Sequence, residues 1–237
     1  MIRGVLFDLD GTLLDIDLQR FLGRYFAGLR EATLAYASGD KADLIMKAVQ
    51  SGTRAMMEPH PGTTNARAFA DEFEAVCDVP FESVRHVYDT FYSEVFPTLA
   101  DGATGVPGAL RVIETARALG LRIAIATNPI FPRAAVEHRL AWAGLSGAGL
   151  DVITTYEEML ATKPHPEYFS QTAALLGIDP RECLMVGDDR YLDMPAADIG
   201  MRTYYVGSDD DAYADYRGTL DDLADVLPRL ASTPNDV

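Results

Sequence analysis

The stretch Ile2-Arg3-Gly4-Val5-Leu6-Phe7-Asp8-Leu9-Asp10-Gly11-Thr12-Leu13 decides the fold. Ile2, Val5, Leu6 and Phe7 read as a buried strand over 2–7. Behind it come two carboxylates two residues apart, then a glycine able to turn tightly. One strand end thus offers one carboxylate to attack and a second to move a proton. Neighbouring carboxylates repel each other, and a hard cation such as Mg²⁺ relieves that cost.

Outward from this strand, the chain alternates. Strands are expected at 121–126, 150–153, 183–186 and 202–206, and helices at 108–119, 132–142, 166–176 and 219–230. Such alternation predicts an α/β fold with a Rossmann-like parallel sheet covered by helices on both faces. Ligands of such sheets bind beyond the carboxyl ends of the strands. Three later stations fall there. Thr127 and Asn128 follow one strand, and Gly187-Asp188-Asp189-Arg190-Tyr191-Leu192-Asp193 follows another. Lys163 stands in Ala161-Thr162-Lys163-Pro164-His165-Pro166.

With these four stations in this order, the chain resembles the haloacid dehalogenase superfamily of phosphohydrolases. The match frames residues 1–16 and roughly 100–205. The resemblance implies Asp8 as nucleophile, forming an aspartyl-phosphate, and Asp10 as the acid that protonates the leaving alcohol and later activates water. Thr127, Asn128 and Lys163 would bind the phosphoryl group. Asp8, Asp188 and the backbone carbonyl of Asp10 would hold Mg²⁺. Asp193 would orient that shell from behind or reach the ion through a water, and Asp189 would either contact the shell or face solvent. Thr12 is read as a turn-stabilising hydroxyl and His165 as peripheral. The implied activity is Mg²⁺-dependent hydrolysis of a small phosphorylated metabolite. A phosphomutase of the same family is the alternative. A carbon–halogen hydrolase fits less well, because the family's dehalogenases do not keep an Asp at the place of Asp10. A non-catalytic metabolite-binding protein is a further alternative that fold alone does not exclude.

Residues 17–98 break the alternation and are too long for a structureless loop. Phe81, Val84, Tyr88, Phe91 and Val95 recur at three- and four-residue steps. So do Phe69, Phe73 and Val76, and Leu18, Leu22, Tyr25, Phe26 and Leu29. The segment is expected to be a helical cap inserted after the first core strand, with residues 1–16 and 99–237 forming the core. Arg20, Arg24, Arg54, Arg67 and His60 within it are read as surface groups.

The net charge of −16 argues against a nucleic acid partner. No apolar run is long enough to span a membrane. The N-terminus enters a strand at once, leaving no room for a signal peptide, and Cys77 and Cys183 lack metal-ligand spacing. A cytoplasmic protein with two reduced thiols is expected. Residues 231–237 read as a frayed tail.

Overall fold

The computed structural model describes residues 1–232. Six parallel strands form the main sheet in the order β5-β4-β1-β6-β7-β8. They are β1 (Gly4–Phe7), β4 (Arg122–Ile125), β5 (Val152–Ile153), β6 (Cys183–Gly187), β7 (Arg202–Tyr205) and β8 (Tyr216–Arg217). β1 and β6 are buried throughout, as strands covered on both faces must be. Their side chains alternate between two cores. Val5, Phe7, Ile123, Ile125, Leu184 and Val186 face α5 (Ala109–Ala118), α6 (Arg133–Trp142) and α8 (Leu220–Ser232). Leu6, Ala124, Cys183 and Met185 face α7 (Pro166–Leu176) and the 3₁₀ turn Met194–Ile199.

The order places β1 at a switch point. β4 and β5 lie to one side of it and β6 to β8 to the other. The loops after β1, β4 and β6 therefore diverge, opening a crevice beyond their carboxyl ends.

Between β1 and β4 the chain makes a long excursion through α1 (Leu18–Tyr36), α2 (Asp40–Met57), α3 (Asn65–Cys77) and α4 (Phe81–Thr90). It then widens into a π turn over Phe91–Val95 and tightens to 3₁₀ over Phe96–Ala100. Two short strands, β2 (Leu14–Asp15) and β3 (Thr104–Gly105), pair antiparallel and clasp the outgoing and returning chain side by side. The helices are docked on the core. Phe96 stacks on Trp142 at 5.4 Å, and Tyr25 meets Phe131 edge-on at 5.3 Å. The start of α3 is bonded to core loops: Asn65 N–H to Met159 O at 2.8 Å and Ala66 N–H to Tyr156 O at 2.8 Å.

Some elements differ in detail from the sequence expectation. β5 is two residues rather than four, because only Val152 and Ile153 pair with β4 at this sheet edge. β8 was not expected, since Tyr-Arg has no readable period; it forms by pairing with β7. On α1 the buried stripe is Phe21, Tyr25, Leu29 and Thr33, while Leu18 and Phe26 are exposed. Apolar residues at mixed three- and four-residue steps cover two faces of a helix, and packing selects one. Ala231 and Ser232, expected in the tail, close α8; the rest of that tail lies outside the described residues. Both cysteines are buried and free, and burial pushes the Cys183 thiol up to about 12.

Candidate active site

The turn after β1 is built from backbone bonds. Asp8 N–H donates to Val186 O at 2.9 Å, extending the β1–β6 ladder one residue and fixing the Asp8 Cα. Leu13 and Leu14 N–H both donate to Leu9 O, at 2.9 and 2.8 Å, and Gly11 N–H donates to Leu14 O at 2.8 Å. Gly11 has φ of 86°, and a Cβ there would lie 2.3 Å from Asp188 Oδ2. Only glycine lets the turn lie against that carboxylate. Thr12 does more than steady its own turn. Its fully buried hydroxyl donates to Asp188 Oδ1 at 3.0 Å, joining the ends of β1 and β6.

Lys163 reaches the same point from the loop after β5. Its Nζ donates to Asp8 Oδ1 at 2.7 Å and to Asp193 Oδ1 at 2.6 Å. Burial alone would lower the Lys163 pKa, but Asp193 and Asp8 more than offset it, so the group stays an ammonium. Asn128 Oδ1 accepts the Lys163 backbone N–H at 3.2 Å, which leaves the Asn128 NH₂ as a donor for the cavity it lines. The Thr127 carbonyl is pinned by Tyr168 Oη at 2.9 Å and Thr154 Oγ1 at 2.8 Å. His165, at the start of α7, bonds through Nδ1 to Thr162 O at 3.0 Å and does not line the cavity.

The three acids after β6 have different settings. Burial, then the nearby Asp8 charge, pushes the Asp188 carboxyl up to about 6. Asp193 is fully enclosed. Its Oδ1 takes the Lys163 ammonium and its Oδ2 accepts Asp189 N–H at 3.1 Å. Burial raises the Asp193 carboxyl and Lys163 works against that rise. Asp189 caps the following turn, its Oδ1 accepting Tyr191 N–H at 2.7 Å and Leu192 N–H at 3.0 Å.

Asp10 has a partner that sequence reasoning missed. Arg139, on α6, donates from Nη1 to Asp10 Oδ2 in a short ion pair. The guanidinium lies 4.6 Å from the Phe131 ring centroid, and Nε bonds Ala135 O at 3.3 Å. Arg139 Nη2 and Asp10 Oδ1 are both buried without a partner. Burial raises the Asp10 carboxyl most, opposed by Arg139 and reinforced by Asp8. A signal for Arg139 was present: Ala135, Val136, Arg139 and Leu140 form the buried stripe of α6, so a cation stands where periodicity places an apolar residue.

These groups line one cavity of about 270 Å³ together with Leu18 and Leu22 of α1, Ile130, Phe131 and Leu192. All eight residues singled out from sequence (Asp8, Asp10, Thr127, Asn128, Lys163, Asp188, Asp189 and Asp193) border it. None of Arg20, Arg24, Arg54, Arg67 or His60 does. Among the described residues, carboxylate oxygens of Asp8, Asp188 and Asp193 lie within 4.8 Å of one another. A cluster of hard anionic oxygens beside a glycine turn suits a small divalent cation such as Mg²⁺. Asp193 already spends both oxygens on Lys163 and Asp189, so Asp8 and Asp188 are the better donors. Asp10 gives its Oδ2 to Arg139, while its Oδ1 has no partner.

A family model described as a haloacid dehalogenase-like hydrolase matches residues 2–198. The chain belongs to the haloacid dehalogenase-like hydrolases. Among curated relatives, hexitol phosphatase A of Escherichia coli (strain K12) is 30% identical over 192 residues, covering 78% of this chain and 74% of that protein. A phosphoglycolate phosphatase of Salmonella paratyphi A is 26% identical and covers 99% of this chain and 95% of that one. The fold is shared with a HAD phosphatase from Thermococcus onnurineus (TM-score 0.58, 22% identity, 95% and 98% of the two chains). It is also shared with an L-2-haloacid dehalogenase from Xanthobacter autotrophicus (TM-score 0.56, 18% identity, 96% and 99%). Among the described residues no helix is long and apolar enough to cross a membrane.

Proposed function

We propose that this hydrolase is a Mg²⁺-dependent phosphohydrolase that cleaves a small phosphate monoester through a phosphorylated Asp8. The observation that carries the reading is the pairing of two differently held carboxylates at one strand end. Asp8 is locked beside the Lys163 ammonium at 2.7 Å, and Asp10, bordering the same cavity, is held through Oδ2 by Arg139. The phosphatase relatives support it by sequence. The acid at position 10 speaks against carbon–halogen cleavage, whose leaving halide needs no proton.

In this mechanism Lys163 holds Asp8 Oδ1, and Oδ2 attacks phosphorus in line with the ester oxygen. The P–O bond to the alcohol breaks as Asp10 delivers a proton to that oxygen. Asp10, now a carboxylate beside Arg139, takes a proton from water, which attacks the same phosphorus and frees Asp8 and inorganic phosphate. Lys163 and the Asn128 NH₂ offset charge on the phosphoryl oxygens. Asp8, Asp188 and the Asp10 carbonyl would hold Mg²⁺, which would supply Lewis-acid stabilisation of those oxygens. Helices α1–α4 act as a cap that shields the acyl phosphate from bulk water. The test is phosphate release from p-nitrophenyl phosphate with Mg²⁺ and with EDTA, together with mass spectrometry of acid-quenched protein for a phosphoryl group on Asp8. Metal-independent release, or a trapped phosphoryl on another residue, would overturn the mechanism.

A further inference from the structure

We infer that the cavity selects monoesters whose alcohol is small, uncharged and largely apolar, and discriminates against esters carrying a second anion. This rests on the phosphohydrolase reading and names the substrate class for the same site. The first observation is the outer wall. The helical excursion meets the cavity with Leu18 and Leu22. Its nearby cations are turned elsewhere: Arg20 and Arg24 bind Asp101 at 2.7 and 3.1 Å. Ile130, Phe131 and Leu192 continue the apolar surface around the space an alcohol would fill.

The second observation is the charge balance. Five carboxylates border the cavity against two cations, and each cation is already ion-paired: Lys163 with Asp8 and Asp193, Arg139 through Nη1 with Asp10, its Nη2 being buried without a partner. A divalent cation offsets the carboxylates near Asp8 and allows the phosphoryl group to approach. Of the donors that remain, the Asn128 NH₂ serves the phosphoryl group and Arg139 Nη2 is enclosed without access from the cavity, so no accessible cation among the lining residues is left for a second negative group on the alcohol. Such a group would give up its hydration against leucine side chains, in the field of Asp188 and Asp189. The volume of about 270 Å³ is at the small end for ligand sites, so the alcohol is short.

The experiment compares three probes of similar size with Mg²⁺: n-propyl phosphate, 2-hydroxyethyl phosphate and phosphoglycolate. kcat/KM is measured for each, and Ki against p-nitrophenyl phosphate ranks any that turns over too slowly. The two neutral esters are expected to exceed phosphoglycolate by at least about tenfold, as an uncompensated like-charge contact requires. Leu18→Arg, at a half-exposed wall position, is expected to move the phosphoglycolate-to-propyl ratio about tenfold toward the anion. Phosphoglycolate equal to or better than the neutral esters would overturn the inference, as would an unchanged ratio in Leu18→Arg protein. Failure to hydrolyse p-nitrophenyl phosphate at all would strike the phosphohydrolase reading instead.

Discussion

Replacing Arg139 by Met removes the one cation that holds Asp10 while keeping most of the side-chain volume. The Arg139 side chain is 1% exposed and that of Asp10 21%, and Asp10 Oδ1 is already without a partner. Removing one member of a buried pair costs roughly 3–5 kcal/mol when the other stays buried and charged. Asp10 is one-fifth exposed and can take up a proton, so we expect the low end, about 3 kcal/mol. For a chain of this size each kcal/mol shifts Tm by about 2–4 °C, giving a fall of roughly 6–12 °C. The assay is thermal unfolding at neutral pH for wild type, Arg139→Met, Asp10→Asn and the double variant. Because the two residues contact each other, the double variant should lose less than the sum of the singles, by about 1 kcal/mol or more. The same pair sets the aim of the acid. Arg139→Met should therefore lose more kcat on an alkyl phosphate, whose alkoxide needs a proton, than on p-nitrophenyl phosphate, whose phenolate does not. Additive stability losses would refute the energetic argument, and equal kcat losses on the two esters would refute the positioning argument.

Asp8→Asn should leave the fold intact and reduce phosphate release by about 10³-fold or more, measured on protein checked for deamidation, since an amide is a far poorer nucleophile. Metal linkage should depend on pH through Asp188, whose carboxyl is raised from 3.8 to about 6. A raised carboxyl favours the metal-free fold fully below 3.8, and that contribution is lost as pH rises through about 6. Mg²⁺ needs the ionised form, so the Tm gain on adding Mg²⁺ should be small at pH 5 and larger at pH 7; a gain independent of pH would contradict the assignment. Asn65→Ala should destabilise by about 2–4 kcal/mol in denaturant unfolding, because the buried Asn65 amide donates to Pro129 O at 2.9 Å and Ala161 O at 3.3 Å and both carbonyls would be orphaned. It should also raise KM, since those carbonyls belong to the loops that carry Asn128 and Lys163; an unchanged KM would show that the contact is structural only.

The alternation of apolar runs with helical periods was enough to read a parallel α/β sheet. It was also enough to place Asp8, Thr127, Asn128 and Asp188 at strand ends, because strands in a parallel sheet all end on one side. Lys163 was readable only from its motif, since a lysine before proline has no periodic signal. Packing alone decided the rest. Local period shows that α1 has an apolar face, but not that Leu18 and Leu22 turn to the cavity while Phe21 and Tyr25 turn to the core. It shows that α6 is amphipathic, but not that the arginine on its buried face meets an aspartate 129 residues earlier. Nor does it show that Asn65, the first residue of α3, ties two active-site loops together. Burial pattern is a one-body property written along the chain. Which charge neutralises which is a two-body property, and it exists only once α6 lies over the end of β1.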